Sequence, residues 1–374
     1  MSRLRGMEEY GQAIWFDYIR RDILLDGSLA RMIAQDGISG LTSNPAIFQQ
    51  AIGESDLYDD AIRQALEEDG EMSVEALYEE LAVEDIQMAA DLLAGKYRDT
   101  DGRDGYVSLE VSPHLARDTV ASVSEARRLW AKVGRENLLI KVPATAEGIP
   151  AIEELLSEGI NVNVTLMFSL AHYEAVAQAY LRAVERCPQP DRLASVASFF
   201  VSRVDSKTDK ILEDLGSGEA RALVGKIAIA NSKVTYLRYQ ELFCNPQFQI
   251  WRDQGARPQR VLWASTSTKN PAYRDVIYVE ELIGPETVNT VPPQTLEAFR
   301  DHGEVRSTLM AEVEQAQAQL NALANLGIDL HRITEDLQAE GVEKFAQPFD
   351  ALLASLDGKR AEISAARVAG VDLE

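Results

Sequence analysis

The sequence predicts an α/β protein built as a (β/α)8 (TIM) barrel, and three observations indicate this fold. Eight short apolar runs alternate with longer segments of helical periodicity, the pattern of parallel strands joined by crossover helices. The length of 374 residues suits one barrel with insertions. None of the runs leads into the glycine-rich dinucleotide loop that an open doubly wound sheet often carries.

The predicted elements follow one another in barrel order. Residues 45–104 and 204–259 form long helical insertions, and residues 304–374 form a helical tail that we expect to pack on the barrel. Without a linker or an internal repeat, residues 1–374 are predicted to form one domain. The predicted strands are Ala13–Asp17, Ile38–Thr42, Tyr106–Val111, Leu138–Val142, Ile160–Thr165, Leu193–Val201, Arg260–Ser265 and Thr287–Val291.

Composition excludes several classes of partner. The net charge of −23 and pI of about 4.6 repel polyanions, so we expect neither nucleic acid nor a membrane surface as a partner. The sequence contains neither a secretory signal nor an apolar run near the ~20 residues that a membrane span needs. Two cysteines and four scattered histidines indicate neither a disulfide framework nor a metal site. We therefore expect a cytoplasmic protein.

Polar residues interrupt or follow strands that should be apolar. Strands of a parallel barrel are buried on both faces, and catalytic groups lie at their C-terminal ends. A single residue of this kind could be a satisfied polar group of the core, but ten from seven strand–loop units indicate an active site. The ten are Asp17, Asn44, Glu110, Lys141, Asn163, Thr165, Ser198, Arg203, Ser265 and Lys269.

Lys141 is the sharpest of these signals. It alone among ten lysines interrupts a strand-like run, NLLIKVPAT. Burial disfavours an ammonium, and a neutral lysine amine is a nucleophile for carbonyl carbon. The alternative is an ion pair with a buried carboxylate such as Glu110 or Asp17, which is compatible with the functional interpretation. The sequence thus predicts carbonyl chemistry at Lys141.

Two carboxylates are candidates for proton transfer. Strand alternation places Glu110 and Ser108 on one face, which we expect to line the barrel interior. Asp17 follows another strand. Schiff-base chemistry needs at least two proton-handling steps, which two separated carboxylates could divide. Asn163 and Thr165 share a face, and a hydroxyl there could hold a catalytic water.

Two cations follow the sixth and seventh strands. Arg203 and Lys269, the latter in WASTSTKNP, stand with several hydroxyls at one predicted barrel mouth. On so acidic a protein this group is typical of a phosphate site. The alternative for each residue is an ordinary surface ion pair.

Eight segments resemble one known family. In chain order from about residue 15 to about residue 290 they are WFDYIRRD, GLTSNPAIF, VSLEVSP, LLIKVPAT, GINVNVTLMFS, VASFFVSRVD, IANSKVTY and WASTSTKNPAYRD. Each alone is a weak signal, but the set is specific. The sequence resembles the transaldolases of the longer bacterial type, within the class I aldolase superfamily.

The resemblance implies a cytoplasmic transferase of the non-oxidative pentose phosphate pathway. A dihydroxyacetone unit would pass from sedoheptulose 7-phosphate to glyceraldehyde 3-phosphate, giving erythrose 4-phosphate and fructose 6-phosphate. Lys141 would form the Schiff base, and Asp17 would take the proton of the donor hydroxyl. Glu110, through a water held with Thr165, would serve imine formation and hydrolysis.

The resemblance also implies the binding residues, and it implies neither a metal nor an organic cofactor. Lys269 stands near the place of an arginine in the better-known branch, with a two-residue offset. Substrates would be sugar phosphates, and both a monomer and a homodimer stay open. The positions that match dihydroxyacetone binding are Asn44, Asn163 and Ser198, and those that match phosphate binding are Arg203 and Ser265, with Lys269 beside them.

Two other functions compete with transfer. One is a fructose 6-phosphate aldolase-like enzyme, whose family carries Gln where Glu110 stands and Tyr where Phe200 stands. The other is a barrel that binds sugar phosphate without catalysis, against which the joint presence of the candidate catalytic residues argues. In the tail, Phe345 and Phe349 are candidates for covering the barrel mouth, with plain core packing as the alternative.

Overall fold

A computed structural model of the protein describes residues 2–369. Eight parallel strands pair in chain order and close into a barrel, so the predicted fold class is confirmed. Each strand lies within two residues of its predicted bounds at both ends. The strands are β1 Gln12–Phe16, β2 Ile38–Leu41, β3 Tyr106–Glu110, β4 Leu138–Pro143, β5 Val162–Met167, β6 Ser195–Phe200, β7 Arg260–Ala264 and β8 Thr287–Val291.

Helices surround the barrel. The β2–β3 connection carries α4 to α6, the β6–β7 connection carries α10 to α13, and residues 304–369 contain no strand. The helices are α1 Arg3–Gly6, α2 Arg21–Leu25, α3 Ser28–Asp36, α4 Pro45–Phe48, α5 Asp59–Glu68, α6 Val74–Asp99, α7 Thr119–Val133, α8 Gly148–Ser157, α9 Leu170–Val184, α10 Ser202–Leu215, α11 Gly218–Arg221, α12 Ile227–Phe243, α13 Pro246–Arg252, α14 Ile277–Glu280, α15 Pro293–His302, α16 Val313–Asn325 and α17 Leu330–Ala369. Short turns of 3₁₀ or π helix occupy Met7–Tyr10, Gln49–Gly53, Asp56–Tyr58 and Pro113–Leu115.

Local sequence explains where several helices begin. Ser73, Asp118 and Ser169 precede α6, α7 and α9, and each side chain accepts a hydrogen bond from the amide three residues on. Such caps satisfy amides that the first turn of a helix leaves without partners. The helix α7 ends at Gly134, whose φ of 60° is the left-handed conformation that glycine adopts without strain.

Strand register sets which side chains meet in the barrel. Glu110 on β3 pairs with Lys141 on β4, and Lys141 pairs with Asn163 on β5. Residues paired across parallel strands point to the same face. The register therefore places a carboxylate, an amine and an amide side by side on the barrel interior.

A polar network lies toward the N-terminal ends of the barrel strands. Asp104, just before β3, accepts hydrogen bonds from Trp15 Nε1 at 2.7 Å and Ser39 Oγ at 3.0 Å, and it pairs with Arg260 at 3.5 Å. A Cβ at Gly40 would lie 2.5 Å from the Trp15 ring. Only glycine therefore lets the indole fill this part of the interior, and Asp104 links strands β1, β2 and β7.

The C-terminal tail packs against the helices around the barrel. The helix α17 contacts α4, α6 and α10 as well as β5. The predicted helical C-terminal extension is thus confirmed. Within the described residues, no helix is both long and apolar enough to cross a membrane.

Candidate active site

A cavity of about 250 Å³ lies at the C-terminal ends of the strands. Among residues 2–369, eight of the ten predicted site residues line it, and their origin in different strand–loop units explains why the sequence scatters them. The eight are Asp17, Asn44, Lys141, Thr165, Ser198, Arg203, Ser265 and Lys269. The other two, Glu110 and Asn163, lie immediately beside Lys141 through the strand register.

Lys141 is enclosed, with only 5% of its surface exposed. Its Nζ donates a hydrogen bond to the carbonyl oxygen of Ser43 at 3.0 Å and lies 3.4 Å from Glu110 Oε2. The ring of Phe345 lies over the amine, with its centroid 5.3 Å from Nζ. The amine therefore faces a small cavity largely screened from bulk water.

Glu110 is a buried carboxylate beside the Lys141 amine. Burial raises the pKa of Glu110 to about 7, although the positive charge of Lys141 opposes the shift. Within the described structure, its buried Oε2 and the buried Oγ1 of Thr165 both lack hydrogen-bond partners. Apart from the ion pair between Glu110 and Lys141, neither oxygen has a partner among the described residues, so a bridging water would suit both. Glu110 also lines a neighbouring cavity of about 460 Å³, which shares Asn44 with the first.

Asp17 has a different environment. Its Oδ1 accepts a hydrogen bond from Thr42 Oγ1 at 2.6 Å, and Thr42 Oγ1 in turn lies 2.6 Å from Thr290 Oγ1. Desolvation raises the pKa of Asp17, while the Lys141 charge and the Thr42 hydrogen bond lower it. Asp17 is thus a second carboxylate with enhanced basicity, held in one orientation by a threonine.

Amides and hydroxyls cross the barrel interior. Asn163 Nδ2 donates to Ser108 Oγ at 3.0 Å, and Ser198 Oγ donates to Asn163 Oδ1 at 2.6 Å, which links β3, β5 and β6. Asn44 Oδ1 accepts from the Ile47 amide at 3.1 Å and so caps α4. Because that bond uses the carbonyl oxygen, Asn44 keeps its NH₂ group for a ligand hydroxyl.

The remaining predicted residues form a cationic region of the cavity. The Arg203 guanidinium lies 5.3 Å from the Phe200 ring centroid, and its buried Nη1 has no hydrogen-bond partner among residues 2–369. Lys269 Nζ donates to Ser267 Oγ at 2.6 Å. Desolvation lowers the pKa of both Arg203 and Lys269, and Arg203 further lowers that of Lys269. An anion between these groups would relieve both effects.

Ser265 lies at the turn that leaves β7. Its φ is 54°, an uncommon conformation for a residue with a side chain, and its Oγ lies 3.1 Å from Ser202 Oγ. Strain of this kind persists where the surroundings hold a residue in place, and it clusters at functional sites. The turn directs the following loop, which carries Lys269, along the cavity wall.

The cavity contains residues that were not among the ten. Thr42 and Thr290 follow the same rule of polar groups at strand ends, so that rule could have found them. Lys344 also lines the cavity, but a lysine in a helical tail carries no sequence signal of this position. Phe345, one of the two phenylalanines considered for the barrel mouth, lies with its ring over the Lys141 amine. Phe349 instead packs against Tyr78 and lines the neighbouring cavity.

The described residues offer no cluster of metal-ligating side chains. Across the described residues, no group of three or more His, Cys, Asp or Glu side chains is arranged to hold an ion. The groups around the cavity are one amine, two carboxylates of raised pKa and three cations. A barrel with an enclosed lysine and flanking carboxylates has the architecture of the lysine-dependent enzymes of the class I aldolase superfamily.

Comparisons with known proteins narrow this class. The model of the Transaldolase/Fructose-6-phosphate aldolase family matches residues 14–356. A protein named Transaldolase from Thiobacillus denitrificans (strain ATCC 25259 / T1) is 48% identical over 360 residues, which cover 95% of this chain and 100% of that protein. A protein of the same name from Thermobifida fusca (strain YX) is 46% identical, over 94% of this chain and 96% of that protein. Another from Trichodesmium erythraeum (strain IMS101) is 43% identical, over 96% of this chain and 97% of that protein. The chain belongs to the transaldolase/fructose-6-phosphate aldolase family, and the predicted family and enzyme class are confirmed.

Proposed function

We propose that this enzyme transfers a dihydroxyacetone unit from sedoheptulose 7-phosphate to glyceraldehyde 3-phosphate through a Schiff base on Lys141. The products are erythrose 4-phosphate and fructose 6-phosphate. The observation that carries the proposal is the enclosed Lys141 amine, 3.4 Å from Glu110, in a cavity that also contains Asp17 and a cationic region.

Imine formation uses Lys141 and Glu110. The amine attacks the ketose carbonyl carbon, and the resulting carbinolamine loses water to give an iminium. Glu110, with a pKa of about 7, can both give and take a proton at neutral pH, so it serves the dehydration and the later hydrolysis. A water held between Glu110 and Thr165 relays the proton, since both side chains have an unpartnered oxygen.

Carbon–carbon cleavage uses Asp17. The carboxylate takes the proton of the C4 hydroxyl, the C3–C4 bond breaks, and its electron pair moves into the iminium to give an enamine. The aldose phosphate leaves. An acceptor aldehyde then reverses these steps, and water hydrolyses the new imine to free Lys141. The raised pKa of Asp17 makes it a stronger base for this step.

Binding residues hold the two ends of the sugar. Asn44, Asn163 and Ser198 orient the dihydroxyacetone hydroxyls, and Arg203, Ser265 and Lys269 bind the phosphate. Support comes from the free NH₂ of Asn44 and the unpartnered Nη1 of Arg203.

Reductive trapping tests the proposal. Borohydride added with fructose 6-phosphate should attach a reduced adduct to the peptide that contains Lys141, and Lys141→Ala should gain no mass and show no transfer. Lys210→Ala, which removes an exposed lysine on α10, is the matched control and should trap normally. An untrapped wild type, or an adduct on Lys141→Ala, would refute the proposal.

Acceptor dependence separates transfer from aldol cleavage. With fructose 6-phosphate as donor, glyceraldehyde 3-phosphate should appear at a substantial rate only when erythrose 4-phosphate is present. Release of free dihydroxyacetone at a comparable rate without acceptor would instead identify a fructose 6-phosphate aldolase.

We also propose a cytoplasmic, single-domain enzyme that acts as a monomer or a homodimer. The support for a reducing compartment is that Cys187 and Cys244 are both free thiols. Size-exclusion chromatography with light scattering would decide between the two oligomeric states.

A further inference from the structure

Lys344 brings a further cation to the cavity from a different part of the chain. Arg203 and Lys269 follow β6 and β7, whereas Lys344 lies on α17, next to the residue that covers Lys141. All three cations line the same 250 Å³ cavity. The C-terminal helix therefore contributes a charged group to the site in addition to an aromatic cover.

The Lys344 ammonium is only loosely held. Its ion-pair partner within the described residues is Glu340, with Nζ 3.5 Å from Oε2. The other oxygen of Glu340 accepts a hydrogen bond from Lys207 at 2.6 Å, so that carboxylate already has a closer cation. Lys344 is 57% exposed and carries three donors on a flexible stem. It can turn to a better acceptor at little energetic cost.

The charges around the cavity call for an anion. Besides the Lys141 amine, which lies 3.4 Å from Glu110, the described lining includes three cations, Arg203, Lys269 and Lys344, and one carboxylate, Asp17. This local excess of positive charge occurs in a protein whose net charge is −23. Like charges gathered around so small a space repel one another unless an anion lies between them. A phosphate dianion has the charge and the acceptor oxygens to engage several of these cations at once.

We propose that Lys344 binds the phosphate of the sugar substrate together with Arg203 and Lys269, and so ties α17 to the bound substrate. The inference rests on the function proposed above and extends it. Because Phe345 lies over the Lys141 amine, a phosphate held by Lys344 also holds this cover in place. A phosphorylated substrate is thereby distinguished from a free sugar by the helix as well as by the strand loops.

Phosphate binding tests the inference without catalysis. Calorimetry with inorganic phosphate should show that Lys344→Gln raises the Kd about tenfold, the effect of about one charge-assisted hydrogen bond, while Lys344→Arg stays within about twofold of wild type. The KM for fructose 6-phosphate should rise by a similar factor with little change in kcat. Borohydride trapping of dihydroxyacetone, which has no phosphate, should be unchanged in Lys344→Gln.

Arg332→Gln is the matched control, because it removes one positive charge from an exposed position of the same helix outside the cavity. It should leave phosphate binding unchanged. The inference is wrong if the wild type binds no phosphate, if Lys344→Gln binds it as wild type does, or if Lys344→Gln also loses dihydroxyacetone trapping. Failure of the wild type to trap any ketose would refute the proposed function instead, so the two failures are distinguishable.

Discussion

The carboxylates of Asp17 and Glu110 lie in one site but have different environments. Asp17 accepts a hydrogen bond from Thr42, whereas Glu110 Oε2 has no hydrogen-bond partner in the described structure. Burial raises the pKa of both, and the charge of Lys141 opposes both shifts. Two carboxylates with different hydrogen-bond partners can divide acid and base work between them. Glu110, which is paired with Lys141 but accepts no hydrogen bond at Oε2 in the described structure, is the one suited to moving a proton to and from water.

We expect Glu110→Gln to lower kcat by about 10²–10⁴-fold, the usual contribution of a general acid–base group. Below pH about 7 Glu110 is protonated and can dehydrate the carbinolamine, and above it the carboxylate can activate water. The wild-type pH–rate profile should therefore show an ionisation near pH 7 that the variant lacks. Initial rates between pH 5 and pH 9 measure this.

Glu75→Gln, which changes an exposed residue on the wall of the neighbouring cavity, is the control and should keep the ionisation in the pH–rate profile.

The free energy of unfolding should also depend on the protonation of Glu110. Because the folded-state pKa is raised, this carboxyl stabilises the fold most below its ordinary value of 4.5, and the contribution is lost as pH rises through about 7. Persistence of the rate ionisation in Glu110→Gln would assign it to another residue.

Most of the site was predictable from residue types alone. A lysine within NLLIKVPAT and a glutamate in VSLEVSP violate the apolar rule for barrel strands, and their places on neighbouring strands follow from strand order, although their exact pairing does not. Lys344 was not predictable in this way. Helical periodicity says which face of a tail is apolar, but the place where that face docks depends on the whole surface of the barrel. Thr42 also follows the rule of polar residues at strand ends, because it comes directly after β2.

At the scale of elements, α17 is fastened to the strands that carry the chemistry. Gln338 Nε2 donates to the carbonyl oxygens of Ala144 at 2.9 Å and Leu166 at 3.0 Å, just beyond β4 and near the end of β5. Leu166 has a φ of 60°, and a Cβ at Gly341 would lie 2.9 Å from its side chain. The helix therefore stabilises an unfavourable backbone conformation directly after Thr165.

Gln338→Leu should lower the free energy of unfolding by about 1–3 kcal/mol, because two carbonyl groups lose their donor while the volume is largely kept. Urea denaturation followed by circular dichroism measures the change. Gln317→Leu, on the exposed face of α16, is the control and should change stability by less than about 0.5 kcal/mol. Equal effects of the two variants would show that the Gln338 bonds do not fasten the helix.

Strand positions were more predictable than helix positions. Parallel strands are short, apolar and bounded by turn residues, so their ends could be placed to within two residues. The tail offered weaker signals. A proline normally ends or kinks a helix, yet α17 continues through Pro348. α17 contacts α4, α6 and α10, which are far from it in the chain, so these contacts cannot be predicted from the local sequence.

At the scale of the whole molecule, the net charge is the dominant feature. A charge of −23 makes the surface repel itself, while the cavity keeps an excess of cations. A strongly acidic surface also raises the cost of bringing a sugar phosphate to the barrel mouth. The cationic lining of the cavity offsets that cost only at short range, because salt screens charges over about 10 Å.

Salt should therefore stabilise the fold and weaken substrate binding. Raising NaCl from 10 to 150 mM shortens the screening length from about 30 to about 8 Å, which relieves surface repulsion. We expect the Tm to rise by about 2 °C or more and the Kd for inorganic phosphate to increase. Scanning calorimetry and titration calorimetry measure the two effects. Sucrose at equal osmolarity is the control, and a Tm that falls with salt would indicate that screened ion pairs outweigh the repulsion.

The position of Phe345 over Lys141 also bears on how the enzyme is made. A ribosome releases all eight strands before α17, which spans 40 residues and takes about 2–8 s to add at 5–20 residues per second. During that interval a nascent barrel has a reactive amine but no cover. Cellular aldehydes can reach Lys141 more easily then than after α17 has docked, so this helix, synthesised after all eight strands, also ends a brief period of chemical vulnerability.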